Sequence, residues 1–177
     1  MLKKALVFLT YFIFFILALI YFIPKASAYY FLESKLKEHS IIISNEEICD
    51  KPLCLGVKNA DIYVDSIKFA NISEANIHLF VLYNKVDLTN ITLSSIAKTL
   101  VPLNINEVDM SYSIFSPLNF KAYAVGDFGE VNASYNILDG ALHLKLTPSK
   151  LMLTNYTGTL KQLKKTEQGD YTYDKIF

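Results

Sequence analysis

Two hydrophobic patterns divide the chain. Residues Ala5 to Ile23 carry no charge, and Pro24 and Lys25 follow them. At about 1.5 Å per residue, a helix of this length covers roughly 28 Å, close to the hydrocarbon thickness of a bilayer. Beyond residue 40, apolar positions alternate with polar ones, as in half-buried strands. The pattern predicts a transmembrane anchor at residues 1–25 and a β-rich domain at residues 41–177. A periplasmic position of the domain, for which the cysteines argue below, makes the short tail before the span cytoplasmic.

A cleaved secretory signal is the alternative to a retained anchor. Such a signal also has a basic start and an apolar run, and Ala26-Ser27-Ala28 has the small-residue pattern after which signal peptidase cuts. The apolar run exceeds the usual signal core of about 7–15 residues, and it is rich in bulky side chains, which favours retention. Lysines flank the run on both sides, so they leave its orientation open.

Residues 26–40 predict a short juxtamembrane helix. The segment has no helix breaker, and Tyr29, Leu32 and Leu36 lie near one face. We interpret it as a stalk that packs on the domain or rests near lipid headgroups, with a specific partner helix as the alternative.

The alternation from Val108 to Leu146 predicts an antiparallel meander. Its strands are separated by Ser116-Pro117, by the segment 126–129 and by Asp139-Gly140, all with residues that favour tight turns. Earlier alternations, including Ile77, Leu79 and Val81, predict further strands, with a helical turn or two between residues 94 and 101. One face of this sheet is apolar, so it needs a cover of a second sheet, a helix or a lipid-like ligand.

The C-terminal segment predicts one helix and one strand. Residues 159–168 have helical spacing and stop at Gly169, and the alternation of Tyr171 and Tyr173 with polar residues predicts an edge strand that closes the sheet. The predicted fold class is therefore mainly β: an N-terminal transmembrane helix and a short stalk helix, then an antiparallel β-meander domain with one C-terminal helix.

Cys49 and Cys54 are the only cysteines, and they flank a turn centred on Lys51-Pro52. A metal site would need further ligands, and a redox pair would have C-x-x-C spacing. A structural disulfide is the preferred interpretation, and it would place the domain in an oxidising compartment such as the periplasm. The alternative is two unpaired buried cysteines in a cytosolic domain.

Composition argues against several activities. The chain has no arginine, and beyond Lys25 acidic residues outnumber lysines by three, so direct binding of nucleic acid is not expected. His39, His78 and His143 are scattered, and no nucleophile, metalloprotease, Walker or dinucleotide motif occurs. We expect no enzyme activity, no cofactor and no metal site.

The series Ala-Val-Gly-Asp-Phe-Gly-Glu-Val at residues 124–131 precedes Ile-Leu-Asp-Gly-Ala-Leu-His-Leu-Lys-Leu-Thr-Pro-Ser at residues 137–149. With an amino-terminal span and a stalk, this architecture resembles the protein N component of type II secretion systems and the wider AsmA-like envelope proteins. The resemblance implies a single-pass protein of the bacterial inner membrane with a periplasmic β domain. It further implies an accessory of a secretion, type IV pilus-like or DNA-uptake apparatus.

Two functional hypotheses follow, and both are non-enzymatic. In the first, the anchored domain docks protein components of an envelope machine, and its exposed edge at Tyr171 and Tyr173 adds a strand from a partner. In the second, it is a small lipid-binding module of AsmA-like type, whose sheet holds an acyl chain on the apolar face of residues 108–146.

Overall fold

The structure is a computed structural model that describes residues 2–80 and 82–177. Val81, which the alternation assigns to a strand, lies outside the described residues. The strands are β1 Ile41–Ser44, β2 Glu47–Lys51, β3 Cys54–Val64, β4 Ile67–Leu79, β5 Tyr83–Leu93, β6 Asn104–Ser113, β7 Asn119–Gly126, β8 Gly129–Asn136, β9 Ala141–Pro148, β10 Lys164–Lys165 and β11 Tyr171–Ile176. The helices are α1 Leu2–Phe22, α2 Lys25–Glu38, α3 Lys150–Asn155 and α4 Thr157–Leu160, with a 3-10 helix at Ser95–Thr99.

Helices α1 and α2 follow the predicted anchor and juxtamembrane helix. The segment Lys3–Phe22 has a mean hydropathy of 2.6 and is long and apolar enough to cross a membrane. Pro24 separates the two helices because it lacks the N–H that would continue the first one. Helix α2 then runs along the domain from the β2–β3 turn, near Lys25, towards the turn after β3, where the Ser40 carbonyl accepts a bond from the Asp65 N–H.

All strands belong to one antiparallel sheet, so the predicted mainly β class is confirmed. Its order is β1-β3-β4-β5-β6-β7-β8-β9-β11-β10, and β2 pairs with the remaining outer edge of β3. From β3 to β9 each strand pairs with the next along the chain, which is the predicted meander extended to seven strands. The turn residues at 116–117, 127–128 and 139–140 lie between strands as the sequence predicts.

Two apolar clusters lie at opposite ends of one face of this sheet. In the first, Tyr29 of α2 packs with Leu55, Val57, Ala60 and Ala75. In the second, Met152 of α3 and Leu160 of α4 pack with Phe128 and Leu146. The sheet is thus covered on one face by a helix at each end.

The prediction of a single helix over residues 159–168 is wrong. The helical residues lie earlier, where the Ser149 hydroxyl accepts a bond from the Met152 N–H at 3.1 Å and caps α3. Lys164 and Lys165 instead form β10, which pairs with Tyr171 and Thr172 through a tight turn at residues 166–169. Part of the segment predicted to be helical therefore belongs to a hairpin.

Candidate functional site

The strongest candidate site is the apolar face of the sheet, which the strand register assembles from alternate residues. One row of cross-strand partners joins Val86, Met110, Ala122, Ala133 and Leu144. The next row joins Leu88, Val108, Ala124, Val131 and Leu146. Directly opposed residues of an antiparallel pair share a face, so both rows point to the same side. The result is an unbroken apolar surface across five strands.

The middle of this face is open between its helical covers. Helix α2 contacts β1 and β3, and α3 contacts β9, whereas the side chains of Met110 and Phe120 are 39% and 45% exposed. Ala122 and Ala133 are small, so they form a low floor between these larger neighbours. A groove of about 260 Å³ lies over this floor.

A second cavity of about 310 Å³ continues the apolar face beneath α3 and α4. Nine of its ten lining residues are apolar, among them Phe128, Val131 and Leu146. The tenth is Thr159, whose hydroxyl already donates to the Leu100 carbonyl at 2.6 Å. The cavity therefore offers dispersion contacts and no free hydrogen-bonding group, which suits a hydrocarbon and not a polar ligand.

The opposite face is polar and holds a shallow cavity of about 580 Å³. The row Lys85, Ser111, Lys121, Ser134 and His143 crosses it. His143 Nδ1 lies 2.6 Å from Asp174 Oδ1, and Lys85 contacts both Asp87 and Asp109. Most of these charges are thus matched within the sheet, as expected for a solvated face.

Asp87 and Asp109 face each other across β5 and β6 on this polar side. The hydrogen bond to Asp87 and burial raise the pKa of the Asp109 carboxyl, whereas the pKa of Asp87 is lowered because the bonds from Lys85 and Asp109 outweigh its burial. Two adjacent carboxyls disfavour simultaneous ionisation, which is why their pKa values move apart, and Lys85 and His78 both lie beside Asp87.

The expected disulfide does not form, and the Cys49 and Cys54 thiols are free. The β2–β3 turn is centred on Pro52-Leu53 and not on Lys51-Pro52, so Cys49 opposes Gly56 and Cys54 opposes Lys51. Such diagonal positions lie about 7–8 Å apart, whereas a disulfide needs Cβ atoms within about 4.5 Å. Cys54 Sγ contacts Asn76 Oδ1 at 3.4 Å, and burial raises the pKa of its thiol. Cys49 and Cys54 therefore give no support for an oxidising compartment.

Tyr171 and Tyr173 lie on β11, which is not the outermost strand along its whole length. Tyr171 and Thr172 pair with β9 on one side and with the two residues of β10 on the other. From Tyr173 to Ile176, β11 extends past β10, so only these residues of the predicted edge have an outer side that β10 does not cover. The structure therefore narrows the predicted docking edge to residues 173–176.

Sequence reasoning missed the small residues of the groove floor and the α3–α4 cover. Ala122 and Ala133 follow the alternation, and the predicted turn at residues 126–129 would pair them directly, but the alternation singles out neither as a candidate site residue. A signal for the cover was present in Ser149, which stands before an apolar-rich segment and is a favourable helix N-cap.

Three comparisons with known proteins identify no family for this chain. No family model, no curated protein and no solved structure matches it. In the part of the chain that the structure describes, no group of three or more metal-binding side chains comes together.

Proposed function

We propose that this protein is a membrane-anchored lipid-binding domain that holds an acyl chain on the apolar face of its sheet. The observation that carries the proposal is the unbroken apolar surface over β5 to β9, which helices cover only at its two ends. Exposed apolar surface of this extent is costly in water and marks a binding site. Helix α1 keeps the domain at a membrane, where acyl chains are the abundant apolar molecules.

A photoactivatable phospholipid with a diazirine on its acyl chain tests this function. After illumination of the full chain in a bilayer, we expect adducts in peptides from residues 104–148 as well as in peptides from residues 2–22. The α1 adducts report lipid around the anchor and serve as an internal standard. If adducts are confined to α1, the groove does not hold lipid and the proposal fails.

Two adjacent residues of β8 give a matched pair of variants. Ala133→Phe fills the groove of about 260 Å³, so we expect adducts in residues 104–148 to be lost while those in α1 remain. Asn132→Phe places the same ring on the opposite face, because successive residues of a strand alternate, and Asn132 does not line the groove. It should label like the unmodified chain. Equal labelling of both variants would contradict the assignment of the acyl chain to the apolar face.

Docking of an envelope protein is a second candidate function, favoured by the outer edge of β11. Residues Tyr173 to Ile176 extend past β10, and a partner strand could pair there. In this reading the protein is an accessory on the periplasmic side of a bacterial inner membrane, as the family resemblance implies.

Photo-crosslinking tests the docking edge. A photo-crosslinking amino acid at Tyr173 should give one discrete adduct with a protein component of the envelope machine, and the same probe at Tyr83, on the polar face, should not. Identical patterns at the two positions would argue against edge docking.

A further inference from the structure

One end of the sheet carries a line of exposed apolar turn residues. The strand partners Leu79 and Asn84, Tyr83 and Ser113, Asn119 and Asn136, and Asn136 and Ala141 show that these turns lie at the same end. We call this line the apolar rim and define it by Leu53, Leu82, Phe115, Leu138, Ile176 and Phe177. All six side chains are between 45% and 82% exposed.

Backbone hydrogen bonds join neighbouring turns into a continuous surface. The Ile114 N–H donates to the Leu82 carbonyl at 3.1 Å, and the Ile137 N–H donates to the Leu118 carbonyl at 2.8 Å. The Phe177 N–H donates to the Gly140 carbonyl at 3.1 Å. The rim is therefore fixed by the sheet and is not a set of independent loops.

The rim lies where the apolar helix leaves the domain. Lys25, which follows α1 by three residues, is 4% exposed, and its Nζ lies 3.3 Å from the Pro52 carbonyl and 3.3 Å from Asp50 Oδ1. Pro52 and Leu53 form the β2–β3 turn, so the end of α1 is bonded to one end of the rim. A bilayer crossed by α1 would have its surface at this level.

We propose that the apolar rim rests in the surface of the same bilayer that α1 crosses. Large apolar side chains beside lysines are the composition of interfacial membrane contacts, in which the apolar groups sink about 5–10 Å and the ammonium groups stay at the headgroups. Lys51 borders Leu53, and the Lys175 ammonium lies 4.4 Å from the centre of the Phe177 ring. Such cations favour anionic lipid.

Seated in this way, the strands stand on the membrane, and the end of the apolar face nearest the rim lies next to the bilayer. Phe120 and Leu142, which line the groove of about 260 Å³, belong to the row of residues directly above the rim. The membrane contact rests on the rim and on its position at the end of α1, and not on acyl-chain binding in the groove. A chain with an empty groove could still dock through the rim.

The absence of tryptophan from the chain makes the test direct. The full chain is reconstituted at low protein density in phosphatidylcholine–phosphatidylglycerol vesicles whose acyl chains are brominated. Phe115→Trp and Leu138→Trp place single probes on the rim, at positions exposed enough to accept them. Ile96→Trp is the matched control, because it is 57% exposed in the loop at the opposite end of the sheet.

We expect both rim probes to lose roughly half or more of their fluorescence to brominated lipid and to emit at shorter wavelength than the Ile96→Trp control. The control should keep its intensity and be quenched by acrylamide in the water. Rim probes that behave like the control would overturn the proposal. So would rim probes shielded from acrylamide but untouched by brominated lipid, because a partner protein or a second copy would then cover the rim. Ala133→Phe in the same background should leave rim quenching unchanged, which separates this result from lipid binding in the groove.

Discussion

The Asp61 carboxylate is held by three side chains near the end of β3 that lies away from the rim. Its Oδ1 accepts from Asn71 at 2.7 Å and contacts Lys68 Nζ at 2.7 Å, and its Oδ2 accepts from Asn45 at 3.0 Å. The residue is 8% exposed, so these bonds replace water. The bonds from Lys68, Asn71 and Asn45 lower the pKa of Asp61 to about 2.

Replacing Asp61 should destabilise the domain because its buried carboxylate is the shared acceptor of the half-buried Asn71 amide, the exposed Asn45 amide and the Lys68 ammonium. We expect Asp61→Ala to lower the free energy of unfolding by on the order of 2–3 kcal/mol, measured by denaturant titration of the detergent-solubilised chain. Asp174→Ala removes a carboxylate from the exposed pair with His143 and should cost less than about 1 kcal/mol. Equal losses from both variants would contradict this account.

The same carboxylate gives a pH dependence with a defined sign. Its folded pKa lies below the unfolded value of about 3.9, so its contribution is complete above that value. The contribution disappears as the pH falls towards about 2. The stability difference between the unmodified chain and Asp61→Ala should therefore shrink between about pH 4 and pH 2. A difference that stays constant over this range would mean that the charge is unimportant.

Asp87 and Asp109 should respond to the same substitution with opposite signs. The pKa of Asp109 is raised, so its ionised form is disfavoured in the fold, and Asp109→Asn should increase stability by up to about 1 kcal/mol at neutral pH. This gain should vanish in acid, where Asp109 is protonated in any case. Asp87→Asn should lower stability, because the Asp87 carboxylate forms an ion pair with Lys85 and lies 3.6 Å from His78. The free energy of unfolding of both variants, measured at neutral and at acid pH, tests this prediction, and a change of the same sign in the two variants at neutral pH would contradict it.

Among the structural elements, the β7–β8 turn depends on a glycine. Gly129 has φ +111°, and a Cβ there would lie 2.2 Å from the Thr147 carbonyl oxygen and 2.7 Å from the Ser149 nitrogen. Both neighbours are backbone atoms of the strand and cap that lead into α3. A side chain would therefore push apart β8 and β9.

We expect Gly129→Ala to lower the free energy of unfolding by at least about 3 kcal/mol, from backbone strain and steric overlap together. Gly169→Ala is the matched control, because its φ of +89° is also unfavourable but no atom lies within 4 Å of the added Cβ. It should cost only about 1 kcal/mol. Thermal unfolding of the two variants separates strain from overlap, and equal losses would show that overlap adds nothing.

The alternation of apolar and polar residues predicts those elements whose turns are also specified by neighbouring residues. The alternation and the Asp139-Gly140 turn specify the β8–β9 hairpin, and the structure has it. The helical spacing of residues 159–168 misplaced the C-terminal helix, because Lys164 and Lys165 pair with a strand that follows them and only the fold selects that pairing. The disulfide prediction failed for a similar reason. Shifting the centre of the β2–β3 turn by one residue changes the residue opposite each strand position by two, so Cys49 lies opposite Gly56 and not Cys54.

At the scale of the molecule, the candidate site depends on contacts that no single segment specifies. The alternation shows which side chains share a face, and so it predicts an apolar surface in need of a cover. The identity of the cover requires α2 and α3–α4, which come from distant parts of the chain and cover opposite ends of the same face of the sheet. The gap between these helices is a property of the whole fold, so the groove could not be predicted from the sequence.

The buried lysine at the junction should fix the direction in which the domain leaves α1. Lys25 Nζ reaches Asp50 Oδ1 and the carbonyls of Ile23 and Pro52, so its ammonium group joins the end of the helix to the β2–β3 turn. Lys25→Met keeps the apolar stem but removes these bonds, and we expect faster proteolysis between α1 and α2, where Pro24 already interrupts the helix. The β domain should keep its unfolding midpoint, because its two apolar clusters do not include the Lys25 ammonium.

Lys35→Met is the control for this prediction. It removes only an exposed ion pair with Glu38 and should leave the cleavage rate unchanged. If Lys25→Met is cleaved at the same rate, the orientation of the domain is set by the packing of Tyr29 and not by this junction.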